Sequence, residues 1–451
     1  MSRENKTARL GSAPPRIVSA PPGPTSRALA RRLIAAESPA FEARRGRRAN
    51  DSGADQSPIV YARGHGANVV DVDGNRYVDL TAGFGALLLG HTPSVVTRAV
   101  QAQERDLSLA LGDVYPSKPK VDLMVALAAL FPEHGARVML GLSGADAVTA
   151  ALKTAVLATG RPGVLAFDGA YHGLSYAPLA ACGLHPSFRE PFAAQLGPHV
   201  TFAPYPSGSA SLDRTLVAVR RALRRGNIGA VLVEPLLGRG GCVVPPPGFL
   251  RALREACDES GALLVVDEIW TGLGRTGAWL ASVQDLGEGI VPDVVCLGKG
   301  LGGGLPISGC VGRGAVMAAW DSRGGAAIHT ATHFGAPPAC AAALATLKEL
   351  RRGRLVARAR SVGARWVSAL ASASERLGVV EVRGRGLMVG VELEGGAARA
   401  LDVARRLLSL GYIVLTGGVD GNVLTLTPPL TIDESLLARF DEALARVLSS
   451  P

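Results

Sequence analysis

The sequence predicts an α/β protein: a large domain on a mainly parallel sheet covered by helices, with a smaller α+β lobe formed by the N- and C-terminal segments. Three observations carry this. Between residues 137 and 298, short apolar runs alternate with helical periodicity, the pattern of strands buried on both faces and joined by helices. Residues 68–80 (NVVDVDGNRYVDL) instead alternate apolar and polar side chains around Asp73-Gly74, which marks a hairpin. From about residue 341 a long helical pattern leads into VVEVRGRGLMVGVELE, YIVLTGGVDGNVLTLTPPL and a last helix, the order of an α+β lobe. No internal repeat is present.

Taken in order, residues 1–50 form a basic, Pro/Arg-rich N-terminal arm, extended and partly mobile over 1–26, helical around Ser26–Ala36 and polar through RRGRRANDSGADQS. The folded body begins near Ile59. Residues 51–104 are assigned to the small lobe, 105–340 to the large domain and 341–451 to the C-terminal small domain. The large domain's runs are RVMLGL (137–142), GVLAF (163–167), AVLVEPL (230–236), ALLVVDEI (262–269) and DVVCLG (293–298), with helical patterns at 213–225 and 248–260. For the last helix, Thr431 and Glu434 are read as a capping box, and Leu436, Leu437, Phe440, Leu444, Val447 and Leu448 as the buried stripe.

Composition removes several function classes. With 47% hydrophobic and 19% charged residues over 451 positions, the chain is not mostly disordered. The net charge of +10 suggests nucleic acid or membrane partners until it is mapped: residues 1–50 hold eleven Arg or Lys against three Glu, a net +8, leaving +2 for the rest. No basic patch interleaved with aromatics follows, so no nucleic-acid partner is expected. No secretory signal and no apolar run of roughly 18 residues is seen, so no membrane partner is expected either. The six scattered cysteines, without a CxxC pair, read as buried free thiols in a reducing cytoplasm. No metal site is expected.

Ligands of open parallel sheets bind beyond the carboxyl ends of the strands. Those ends carry Ser143-Gly144-Ala145 before a helix, Tyr171-His172-Gly173, Glu234, the adjacent Asp267 and Glu268, and Gly298-Lys299-Gly300. Lys299 is the only lysine between Lys153 and Lys348. Pyridoxal 5'-phosphate requires an amine for an imine, a carboxylate at the pyridine nitrogen, packing on both ring faces and a phosphate cradle. Lys299, Asp267, Tyr171 with Ile269, and the Ser143-Gly144-Ala145 turn supply that set. GLGRTG (272–277) also matches the dinucleotide pattern G-x-G-x-x-G, but Asp267-Glu268-Ile269-Trp270 intervene between the apolar strand and the glycines, and that reading leaves Lys299 and Tyr171 unused.

With these residues in hand, the sequence resembles the class III aminotransferases, pyridoxal-phosphate enzymes of fold type I. The likeness runs from about residue 56 to 448. It rests most specifically on LLVVDEIWTGLGRTG followed by PDVVCLGKGLGGGLP, and includes DVDGNRYVDL, AYHG, VLVEP, THFGAPPAC and VRGRGLM. It implies a transaminase moving an amino group from an amine or amino acid to a 2-oxo acid, pyruvate or 2-oxoglutarate, in two half-reactions. It further implies that Lys299 holds the cofactor as a Schiff base, that Asp267 pairs with the ring nitrogen and that Tyr171 and Ile269 flank the ring. Ser143, Gly144 and Ala145 would face the phosphate, with His172 and Glu234 supporting the ring site. Thr332 would reach the partner subunit's cofactor, which implies a homodimer with active sites at the subunit interface. A racemase or epimerase using the same cofactor is the alternative, and an NAD-dependent oxidoreductase a remote one.

The chain departs from the family at the substrate side. Arg239 stands at the position of a frequent glutamate and Thr425 at that of a frequent arginine, the two halves of a carboxylate gate. Trp270 replaces a frequent glutamine, and Ala145 and Asp146 replace Ser/Thr and Glu. Arg239 and Trp270 are therefore candidate substrate contacts, and Phe84 is taken as a third. Arg239 is expected to take over carboxylate recognition, because a guanidinium binds that group bidentately.

Overall fold

The computed structural model describes residues 10–450 except 288, 325, 375 and 376. The chain divides into two compact units: Ser94–Ala357, and a second formed by Met1–Pro93 together with Arg358–Pro451. These divisions fall near, but not at, the boundaries expected at 104/105 and 340/341.

The first unit is built on seven strands: β1 (Arg137–Gly141), β2 (Gly163–Phe167), β3 (Val200–Ala203), β4 (Ile228–Val233), β5 (Leu263–Asp267), β6 (Val294–Leu297) and β7 (Ser308–Gly312). They lie in the order β1-β7-β6-β5-β4-β2-β3. Only β7 runs against its neighbours, antiparallel to both β1 and β6. The other six therefore end at one edge of the sheet. Apolar runs could form this sheet because both faces are covered. On β5, Leu264 and Val266 pack into one core with the helices Ser209–Leu223 and Phe249–Ser260, while Val265 packs into the other with the helix Gly144–Thr159. Each such side chain contributes roughly 1.5–3 kcal/mol by leaving water. β3 and β7 were not expected from sequence: VTFA is short, and SGCVG carries two glycines that dilute its apolar signal.

In the second unit, Tyr61–His65, Asn68–Asp71 and Arg76–Asp79 form antiparallel pairs, with the expected hairpin at Asp73-Gly74. Tyr412–Ile413 then adds beside Arg76–Asp79, so both chain ends share one sheet. A second, antiparallel sheet joins Val379–Arg385, Met388–Leu393, Val423–Leu426 and Leu415–Gly417.

Three local expectations are corrected. The arm, whose first nine residues lie outside the described ones, is tied to the hairpin. Arg16 and Arg76 exchange backbone hydrogen bonds, and Asn68, Asn75 and Asp73 accept from the amides of Ala13, Val18, Ser19, Thr25 and Ser26. A Pro-rich segment cannot pair its own backbone, and here the turn's amide and carboxylate side chains do so. The polar Arg-rich stretch is part of a helix, Pro39–Ser52, packed on Gly396–Ser409 and ended by Gly53 at φ +66°. Lacking an apolar stripe, it gave no periodic signal, yet Ala and Arg favour helix and Pro39 opens it. Finally, Asp433, not Thr431, caps the last helix, accepting from Ser435 N at 2.9 Å. No described helix is long and apolar enough to cross a membrane.

Candidate active site

The carboxyl ends of β1, β2, β4, β5 and β6 surround a cavity of about 450 Å³ lined by Ser143, Gly144, Ala145, Tyr171, His172, Glu234, Asp267, Ile269, Trp270 and Lys299, among others. Ten of the residues singled out from sequence thus meet in one place.

One wall is the start of the helix Gly144–Thr159. Ser143 caps it in a reciprocal box with Asp146, whose carboxylate also accepts from Leu142 N. The amides of Gly144 and Ala145 are the first of the helix and have no intrahelical acceptor to reach. Glycine at 144 lets Ile269 pack close, since a Cβ there would stand 2.7 Å from Ile269 Cδ1 and push that side chain aside.

Asp267 closes the floor. Its Oδ2 lies 2.8 Å from His172 Nδ1, and its Oδ1 accepts from Ile269 N at 3.0 Å. Both side chains are almost wholly buried. Adjacent residues on a strand face opposite sides, and Glu268 accordingly turns away to accept from Ser282 N, Ser282 Oγ and Thr271 Oγ1. The sequence presents two carboxylates side by side; only Asp267 belongs to the cavity. Glu234 accepts from Tyr171 N at 2.7 Å and Gly238 N at 2.9 Å, so one carboxylate holds two loops. Burial pushes its carboxyl up to about 7, with Asp267 adding to the rise.

Lys299 follows β6 in a left-handed backbone conformation, φ +37°. Its Nζ rests 3.6 Å from the centre of the Trp270 ring. Burial pulls the ammonium down to about 7; Glu234 and Asp267 oppose this, and Arg239 and Arg275 reinforce it. A lysine so placed is available as a neutral nucleophile near neutral pH. Two buried polar atoms of the cavity, His172 Nε2 and Trp270 Nε1, have no hydrogen-bond partner in the structure. Orphaned buried groups of this kind call for an external partner.

Not every expected residue joins the cavity. Thr332 lies exposed on a turn. Phe84 belongs to the other unit, where it is exposed with φ +60°. Thr425 is buried within a strand of that unit. Arg239 stacks on Tyr171 at the cavity's side, its guanidinium carbon 4.4 Å from the ring centre. GLGRTG forms a tight reversal, with Leu273 N bonded to Trp279 O and Gly274 N to Ala278 O. It opens no helix, as a pyrophosphate-binding turn must. Sequence reasoning missed the function of Glu268 and Ser282 as a brace for this loop; the hydroxyls of Thr271 and Ser282 were its only signal.

A buried lysine facing a histidine-held aspartate, at the carboxyl ends of a seven-stranded α/β sheet, defines an enzyme of the fold type I transaminase class. The family profile described as "Aminotransferase class-III" matches residues 49–448. An acetylornithine aminotransferase of Methanosarcina acetivorans is 37% identical over 84% of this chain and 88% of its own length. A 4-aminobutyrate aminotransferase of Mycobacterium bovis is 35% identical over 96% and 98%. Among solved structures, the ornithine aminotransferase of Toxoplasma gondii, described with partial occupancy of PLP at its active site, superposes with a TM-score of 0.78 at 30% identity, over 87% of this chain and 89% of its own. The chain belongs to the class III aminotransferase family, and transamination is its reaction class.

Proposed function

We propose that this aminotransferase holds pyridoxal 5'-phosphate in the 450 Å³ cavity and moves an amino group from an amine or amino acid to a 2-oxo acid, pyruvate or 2-oxoglutarate. The observation that carries the reading is the buried Lys299 amine sharing one cavity with the His172–Asp267 pair and a helix N-terminus. The cavity's chemistry fits the cofactor: it offers a nucleophilic amine, an anchored carboxylate, free first-turn amides and two orphaned ring nitrogens.

Lys299 is the residue that attaches the cofactor. Asp267, kept in place by His172 and the Ile269 amide, holds the proton of the pyridine nitrogen. Tyr171 and Ile269 pack on the two ring faces. The amides of Gly144 and Ala145 receive the phosphate, while the Ser143 hydroxyl stays engaged in the cap. Glu234 positions Tyr171 through its amide. When bound, pyridoxal phosphate supplies the electron-accepting ring against which the substrate's Cα–H bond is weakened. Released when the donor's amine takes its place, the Lys299 amine would take the proton from Cα and return it to the substrate–cofactor adduct. Thr332, exposed on its turn, is assigned to a second subunit's phosphate site in a homodimer. We place the enzyme in the cytoplasm, where its six buried cysteine thiols stay reduced.

The decisive experiment is spectroscopic. The purified protein loaded with pyridoxal phosphate should show a visible band that an amino donor removes and a 2-oxo acid restores. Recovery of the band with amine alone indicates racemisation, and absence of any band rejects cofactor binding. Screening donors against pyruvate and 2-oxoglutarate then identifies the substrate pair.

A further inference from the structure

The carboxylates around the cavity are already engaged. Glu234 accepts from two backbone amides, and Asp267 from one amide and the His172 ring. Arg239 has no ion pair among the described residues; its contacts are the faces of Tyr171, at 4.4 Å, and Phe188, at 5.8 Å. Stacking occupies the flat faces of a guanidinium and leaves its in-plane N–H groups free to donate.

The placement of this group is built, not incidental. Arg239 lies in a short loop closed by paired backbone bonds between Leu237 and Val243. Gly240 is packed so closely that a Cβ would stand 2.6 Å from Gly169 O. The two oxygens of Glu234 hold this loop and the Tyr171 loop at once, so guanidinium and aromatic platform are set in register by a single carboxylate. Tyr171 in turn lines the cavity of Lys299. The Arg239 guanidinium therefore stands beside the Lys299 site closely enough to help pull the lysine's ammonium down, a positive field that an anionic ligand relieves.

We propose that Arg239 is the carboxylate anchor of the substrate site, receiving the carboxylate of an amino-acid donor and of the 2-oxo acid acceptor through its in-plane N–H groups. The proposal rests on the transaminase reading above and narrows it: substrates bearing a carboxylate are preferred over their carboxylate-free counterparts. Recognition thereby sits on the aromatic platform of the large unit, at a position where the family frequently carries an acid.

The test compares matched pairs on the cofactor-loaded protein: L-alanine with ethylamine as donors, and pyruvate with acetaldehyde as acceptors. The quantity read is the ratio of kcat/KM within each pair. Arg239→Gln should lower that ratio about a hundredfold, and Arg239→Lys, which keeps a point charge but not the fork, about tenfold. Propanoate, a carboxylate without an amino group, should compete with pyruvate in the parent protein and lose at least tenfold in affinity in Arg239→Gln. Unchanged ratios and unchanged propanoate inhibition overturn the anchor. Should Arg239→Gln fail to fold, the lysine variant and propanoate competition decide. A parent protein with no visible band brings down the transaminase reading and the anchor together; a normal band with unaltered ratios brings down the anchor alone.

Discussion

Two polar regions meet at the end of β5 and behave oppositely. On one side, Glu268, Thr271 and Ser282 saturate one another: both oxygens of a fully buried carboxylate are used, by a serine amide and hydroxyl and a threonine hydroxyl. On the other, one residue earlier in the chain, the Asp267 side leaves His172 Nε2 and Trp270 Nε1 without partners although both are buried. Unpaired groups are costly in a protein interior, so they persist where a ligand completes them. The comparison teaches that residue type alone does not separate scaffold from site. Asp267 and Glu268 are chemically near-identical neighbours, and the pleat of the strand decides which one meets the ligand.

The largest effect that would sharpen this contrast lies at Lys299. Lys299→Ala should reduce transamination by about 10⁴-fold or more and let the cofactor be removed by gel filtration, while the denaturation midpoint stays near that of the parent. Residual activity within tenfold of the parent would remove Lys299 from its role. The lowered pKa adds a pH signature. Cofactor capture by the cofactor-free protein should rise with pH through about 7, not near the ~10.4 of an ordinary lysine. Because the unfolded chain keeps that proton longer, the cofactor-free protein should also gain stability as pH climbs from about 7 towards 10. Denaturant titrations across that range check the sign, and Lys299→Met should flatten the rise.

Breaking the saturated side should act on the fold instead. Glu268→Ala strands three buried donors and should cost about 3 kcal/mol in denaturant unfolding. A loss confined to cofactor affinity would place Glu268 in the site after all. His172→Ala should do the reverse, weakening cofactor binding about 10- to 100-fold in titrations of the visible band with a smaller stability loss. The mildest expectation concerns Trp270→Phe, which keeps a ring beside Lys299 but deletes the orphaned N–H. Stabilisation by bound cofactor should fall by about 1 kcal/mol, measured as the difference between loaded and cofactor-free unfolding. An unchanged difference would mean that the indole nitrogen stays unpaired in the loaded protein.

The large sheet and the cavity were legible because their signals are local. Apolar runs ending in Glu234, Asp267 or Lys299 announce both a buried strand and what its tip presents. What escaped depends on distant partners. Nothing near Ala13 or Val18 shows that Asn68 and Asn75 accept their amides, and Pro39–Ser52, which buries no residue, carries no apolar stripe to show where it docks. β7 stayed hidden because pairing across two neighbours, not its own composition, makes SGCVG a strand.

The backbone at Lys299 has a further consequence. With φ at +37°, this position lies in the left-handed region, where glycine sits without penalty and a side chain such as lysine costs about 1–3 kcal/mol. Lys299→Gly should therefore leave an inert protein that is harder to unfold than the cofactor-free parent. The backbone here favours glycine over lysine, so it is the reaction that keeps lysine at this position. In any descendant released from that reaction, position 299 is the first place where drift would improve the protein, and its identity is the simplest mark of whether the chemistry is still in use.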